Sequence, residues 1–567
     1  MTRTALATLL LIGCSGSPPP EPTASAETRS VTVYSGGDIV TMDAARPSAE
    51  AVAVQDGRIL AVGTAAEVAR AAEGATVTAV DLAGQTLVPG FIDGHSHFFQ
   101  AAMITDYANV SAKPVGQAED IRGVIAVLKA HLADHPLAPG DWLVGYGYDA
   151  TALKDGREMT RADLKELGDI PVALIHVSGH GCVLNDAAFA LTGITADTPT
   201  PENGKIVRDP DGTPSGLLME TAWFGLVMPK MPKPSGAELL DRLKDAQNTY
   251  AENGYTTVQD APMEGDSRSL YEQAAREGRL FLDLIAYADQ SAFLTMADQG
   301  FDFRAPYQGH LRIAGVKVIM DGSPQGMTAA FTQPYGVPDE RGQETRGTLI
   351  TSADALTTIM QRAYAVHAQV LAHANGDAAI DAVLSAHQAA GAPEGVRTTV
   401  IHSQFVREDQ LDLYARYGFG VSFFTNHAFF WGDLYPTLLD PTRAAYLSPM
   451  KAGVQRGLHM TNHSDFLVTP LDPMRILSTS VNRTTRAGVT LGPDQRLTPA
   501  EGLKALTLDG AWQYSEEAEK GSIEAGKVAD LVILSRNPLT VAPEEIEGIH
   551  VVSTIKGGEV VYPRVGG

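Results

Sequence analysis

The sequence predicts an α/β protein: a (β/α)8 TIM barrel, a small β-sandwich built from both chain ends, and a subdomain inserted after the first barrel strand. Three observations predict it. Apolar strand-like runs alternate with helical stretches through the middle of the chain, the pattern of βα units around a parallel sheet. Short strands and tight turns occupy both ends, and neither set is large enough to bury a core alone. Residues 101–235 separate the first two barrel strands, far more chain than a βα connection needs.

At the start, Val31-Thr32-Val33-Tyr34, Ala51-Val52-Ala53-Val54 and Ile59-Leu60-Ala61-Val62 read as strands, with Asp56-Gly57 as a hairpin turn between the last two. Ala529 to Leu534, then His550 to Ile555 with a Gly557-Gly558 turn, repeat the theme at the other end. Residues 30–89 and 505–567 are therefore assigned to one sandwich, and 90–504 to the barrel. The barrel strands are expected at Phe91, Tyr255–Val258, Leu282–Tyr287, Ile313–Ile319, Gln369–Ala372, Thr398–Ile401, Phe419–Phe423 and His459–Thr461. That is enough to close a barrel.

Met1 to Gly13 carries a single Arg3 and an apolar run, Leu9-Leu10-Leu11-Ile12, too short to span a bilayer. Leu11-Ile12-Gly13-Cys14 resembles a bacterial lipobox, so residues 1–14 are expected to be a lipoprotein signal peptide ending at a lipidated Cys14. Residues 15–29, with Pro18-Pro19-Pro20, then form a flexible tether. Ser15 after Cys14 points to a periplasm-facing protein on the outer membrane. Cys182 is the only other cysteine, so a structural disulfide is not expected. A net charge of −24, from 67 acidic and 43 basic residues, argues against nucleic acid or an anionic membrane surface as partner. Membrane attachment would come only through the lipid. A homodimer is compatible with the sequence, which sets no oligomeric state.

The chemistry gathers where strands end, as it does in barrel enzymes. Phe91-Ile92 runs into His95-Ser96-His97, and residues two apart on a strand share a face, making a pincer for one metal ion. Lys317 stands at the fourth strand, His373 at the fifth, His402 at the sixth and Asp465 at the eighth. Imidazoles and carboxylates suit zinc and its neighbours. Four His and one Asp exceed what one tetrahedral ion needs, so one or two divalent ions are expected, zinc foremost. Two ions need a bridging anion, which Lys317 can supply only as its carbamate; a strand lysine paired with a carboxylate is the plain alternative. Asp465 is the expected general base and acid, beside metal-activated water.

This set resembles the amidohydrolase superfamily, and in particular its YtcJ-like branch, which includes N-substituted formamide deformylases. The resemblance rests on Pro89 to His97, Gly254 to Val258, Asp321-Gly322-Ser323 with Thr328-Ala329-Ala330, His373 with Gly376-Asp377, His402-Ser403-Gln404, Ser464-Asp465 and Gly521 to Leu531. It implies hydrolysis of a carbon–nitrogen or related bond in a small molecule, and a carbamylated lysine at the position of Lys317. Ala374-Asn375 and Phe466-Leu467 depart from the family pattern beside the site. His180, in Ser178 to Asn185, matches a further family motif and is a candidate substrate contact, as are Asp321, Asn426 and His427; for His180 and His427 a structural or loop role is the alternative. Deamination, lactone or ester hydrolysis and carbamate cleavage use the same parts. A non-catalytic binding lipoprotein is the reading from another class, and the intact metal set argues against it.

Overall fold

The computed structural model describes residues 29–563 apart from 203, 264–266, 340–341 and 394. Cys14, the signal and all of the tether but Arg29 lie outside the described residues. Among them, no helix is long and apolar enough to cross a membrane.

A parallel sheet of eight strands organises the molecule: β1 (Phe91–Ile92), β2 (Tyr255–Met263), β3 (Asp283–Ala288), β4 (Leu311–Ile319), β5 (Gln369–Ala374), β6 (Thr398–His402), β7 (Gly420–Phe423) and β8 (His459–Asn462). Each strand pairs in parallel with its successor in the chain. The strands are short runs of Val, Ile, Leu and Ala buried on both faces, as helix-covered parallel strands are. The helices that cover them are amphipathic and capped. Ser352 Oγ accepts from Ala355 N at the start of Ala353–Ala365, whose Leu356, Ile359, Met360 and Ala363 face the sheet.

The sheet curls until its edges approach. Asp465 N donates to His95 O at 3.2 Å and His97 N donates to Phe466 O at 3.0 Å. A side chain at Gly94 would close that gap, since a Cβ there would stand 2.6 Å from Thr461 Oγ1.

A second, mixed sheet joins the chain ends. Its seam is the antiparallel pairing of Thr86–Pro89 with Leu531–Leu534. From the seam, Val551–Lys556 and Glu559–Tyr562 extend one side, and Ser30–Val40, Ser48–Gln55 and Arg58–Gly63 the other. Asp56 and Gly57, both at positive φ, make the hairpin turn read from the sequence. Residues 505–514, grouped above with the terminal strands, pack elsewhere: Ile92 N donates to Leu506 O, and Gln513 Nε2 donates to Gly94 O at 2.8 Å. They brace β1 from beneath. Between β1 and β2 a third sheet runs in the order Gly204–Arg208, Pro214–Glu220, Gly181–Leu184, Val172–His176, Leu143–Tyr148, Ala108–Asn109.

Candidate metal centre

Beyond β1, Ser96 turns away to bond Asp93 and Tyr250, so its two flanking histidines face one point. His97 Nε2 lies 3.1 Å and His95 Nε2 3.5 Å from Asp465 Oδ1. That oxygen is buried and accepts no hydrogen bond from any described residue. An anionic oxygen left so is costly unless a cation completes it. Burial alone would raise the Asp465 carboxyl, but the contact with His97 and, once acid protonates those rings, the charges of His402 and His95 hold it well below the usual carboxylate range.

A second triad shares the same carboxylate. His402, His463 and Asp465 bring their donor atoms within 4.8 Å of one another, as do His95, His97 and Asp465. His373 adjoins through His402, its Nδ1 3.0 Å from His402 Nε2. Lys317, 3% exposed, points its Nζ at His95 Nε2 from 2.8 Å. Burial brings its amine down to about 7. Burial also pushes His95 and His402 well below the ordinary imidazole range and His463 down to about 3. These rings are neutral at pH 7 and offer lone pairs, which metal ligation requires. His402 (φ 75°), Ser403 (φ 45°) and Asp465 (φ 52°) all hold left-handed backbone that such residues seldom adopt, a strain that gathers at functional sites.

Outer partners fix the rings. Gln259 Nε2 donates to Gly94 O and to Tyr514 OH, so its Oε1 faces His95 Nδ1 at 2.6 Å and accepts that proton. His95 Nε2 is thereby left bare toward the centre. Asp93, pushed up to about 6 by burial, accepts from His95 N at 3.2 Å. His373 Nε2 has Asn375 Nδ2 at 3.0 Å and Asp321 Oδ1 at 3.4 Å. Neither Gln259 nor Tyr514 was singled out from the sequence. A signal existed for Gln259, since Gln259-Asp260 is a polar pair in the middle of β2; Tyr514 had none.

The four candidate substrate contacts fare differently. Asp321 is fully buried, and its oxygens accept Asn375 N, Gly376 N and Ala330 N, so it organises the loops behind His373. Asn426 is buried between Thr469 and Thr479. His427 bonds Tyr435 OH at 2.5 Å and packs against Phe424 and Trp431. His180 pairs within the insert, 3.1 Å from Glu220 and against Phe224, both exposed.

A cavity of about 260 Å³ borders the loop that follows Asp465. Phe466, Leu467, Trp431, Asp149, Val177 and Arg486 line it, and none of the converging His, Lys or Asp side chains does. Imidazole and carboxylate donors around an unpartnered carboxylate oxygen fit a divalent ion.

A model of the amidohydrolase family matches residues 78–562. N-substituted formamide deformylase of Arthrobacter pascens is 30% identical, over 93% of this chain and 98% of its own length. A Bacillus subtilis (strain 168) protein bearing the amidohydrolase name YtcJ is 25% identical, over 94% of this chain and 99% of its own. Among solved structures, a metal-dependent hydrolase of Pyrococcus horikoshii superposes with a TM-score of 0.74 at 23% identity, covering 92% of this chain and 99% of that one. That likeness shows a common fold.

Proposed function

The chain belongs to the amidohydrolase family, and from that premise we propose that it cleaves an N-formyl or N-acyl amide bond of a small molecule. It is a metal-dependent hydrolase of carbon–nitrogen bonds; the bond type and the residue roles are this reading. The observation that carries it is Asp465 Oδ1, buried, without a hydrogen bond, and 3.1 Å from His97 Nε2.

In this reading His95, His97, His373, His402 and Asp465 hold one or two divalent ions, zinc by the chemistry of the donors. Such an ion polarises a carbonyl and acidifies water. Asp465 takes the water proton, holds it while the carbonyl carbon is attacked, and returns it to the leaving nitrogen. Its depressed carboxyl keeps it ionised throughout the physiological range. Lys317, with its amine brought down to about 7, is in part unprotonated at neutral pH. The bare amine would add carbon dioxide and release a proton, giving a carbamate whose oxygens would add anionic ligands to the centre.

The parallel sheet is read as a closed barrel beside a sandwich of the two chain ends. The hydrogen bond from Asp465 N to His95 O and the Thr86–Pro89 seam support that reading. The part of the substrate beyond the amide is assigned to the cavity between Trp431, Leu467 and the insert's Asp149 and Val177. His180, His427 and Asn426 stay assigned to the substrate side, with Asp321 acting through His373. The Arthrobacter relative acts, by its name, on N-substituted formamides, which makes N-formyl amines the first substrates to try.

The test is a panel of N-formyl and N-acyl amines, lactones, esters and aminopyrimidines with zinc-loaded protein, scored by released amine and acid. Amine and acid in equal amounts from one amide class is the expected result. Turnover confined to lactones or to ring amines would defeat the amide reading.

A further inference from the structure

His463 is the first residue past the end of the eighth strand, 1% exposed, with both ring nitrogens engaged. Its Nδ1 is 2.7 Å from Ser422 Oγ, at the end of β7. Its Nε2 is 3.1 Å from His402 Nδ1, at the end of β6. The opposite nitrogen of His402, Nε2, faces His373 Nδ1 at 3.0 Å. A file of side chains therefore runs Ser422, His463, His402, His373 across four strand ends.

Only one proton lies between His463 Nε2 and His402 Nδ1, and its owner decides what His402 can do. If His463 holds it, the proton of neutral His402 sits on Nε2 and blocks the face toward His373. If His402 holds it, Nε2 carries a lone pair aimed at that face. Gln259 settles the same question for His95, because an amide oxygen can only accept.

We infer that His463 is a positioning residue and not a metal ligand: it accepts the Nδ1 proton of His402, donates its own Nδ1 proton to Ser422, and so presents His402 Nε2 to the metal. The inference rests on the reading of His402 as a ligand. One donor atom each of His463, His402 and Asp465 lies within 4.8 Å of the others, so the test has to separate a positioning residue from a ligand.

The test uses the full chain, stripped of metal, with zinc affinity measured by competition against a chromophoric chelator and the melting of each metal-free protein recorded beside it. Three variants decide it. His463→Leu removes the acceptor and should weaken zinc binding about 10–100-fold, the usual loss when such an outer partner is removed. His463→Gln supplies an amide oxygen for the same proton and should restore affinity to within a few-fold of wild type. Ser422→Ala leaves every ring in place and should lie between them. Full affinity in His463→Leu overturns the inference, and so does a His463→Gln variant as weak as His463→Leu, the result a true ligand would give. If His463→Leu melts early without metal, Ser422→Ala decides, and wild-type affinity there overturns the inference. Wild-type protein that binds no zinc would instead bring down the metal reading itself.

Discussion

Lys317 Nζ stands 2.8 Å from His95 Nε2, although 222 residues separate them in the chain. Neither group has reason to be buried for packing: an amine on a strand and an imidazole at a strand end both cost free energy to desolvate. What they share is the point toward which the Asp465 carboxylate also turns.

The amine's titration gives that pairing a pH signature. Burial brings it down to about 7. Below that pH it is an ammonium, which can neither add carbon dioxide nor approach a cation. Metal loading in bicarbonate should therefore be nearly complete at pH 8 and fall as pH drops through 7, by elemental analysis of desalted protein. Lys317→Ala should lose at least one ion per chain at pH 8. Equal metal content in wild type and Lys317→Ala at pH 8 would reduce Lys317 to a strand residue.

Asp465→Asn keeps the shape of the side chain and removes its proton acceptor. General base catalysis contributes ~10²–10⁴-fold, so turnover of the best amide substrate should fall by at least the lower figure. The strands beneath are untouched, so the circular dichroism and melting of the variant should match wild type. Zinc content should drop modestly, a neutral amide oxygen being the poorer ligand. Turnover within a few-fold of wild type would remove Asp465 from the mechanism.

How far the site could be read from the sequence follows from how each residue is placed. His95 and His97 were legible because alternation on a strand survives folding: both rings reach Asp465. Lys317, His373, His402 and Asp465 were legible because strands repeat and their ends are marked by sudden polarity. Gln259 and Tyr514 were not legible as partners, because the contact that gives them a role closes over 255 residues of chain. Asp321 shows the opposite error of scale. As a loop carboxylate after a strand it is a fair substrate contact, yet three backbone N–H groups from two other segments occupy it. The seam of the terminal sheet was hidden likewise, since Thr86-Leu87-Val88-Pro89 is too short to declare its partner.

Anchoring through Cys14 has its own test. Wild-type protein expressed in a Gram-negative host should partition into the detergent phase of a cloud-point extraction, and Cys14→Ser should move to the aqueous phase. An aqueous wild type would end the lipoprotein reading.

A cluster of buried ions ties the parallel sheet to the terminal sheet. Asp283, at the start of β3 and 7% exposed, receives Lys520 and Lys556, each 2.5 Å from its Oδ2, and His310 Nδ1 at 2.7 Å from its Oδ1. Lys556 also reaches Asp530 at 2.8 Å and Lys520 reaches Glu516 at 2.9 Å, so one carboxylate ties β3 to both sides of the C-terminal segment. Burial opposes ionisation of Asp283, but the two lysine charges outweigh it and hold the carboxyl far below its usual range. Removing one partner of a buried ion cluster costs ~3–5 kcal/mol, because charges are left uncompensated. Asp283→Ala should lower the free energy of urea unfolding at pH 7 by about that much while leaving zinc affinity intact. The sign with pH follows from the depressed carboxyl. Its contribution is present above the unfolded value of about 3.9 and is lost as pH falls below it, when the unfolded chain takes up the proton first. The gap between wild type and Asp283→Ala should therefore be flat from pH 7 to 5 and shrink below about pH 4. A gap under about 1 kcal/mol at pH 7, the size of an exposed ion pair, would mean that water reaches the cluster and that hydrophobic packing alone joins the two sheets.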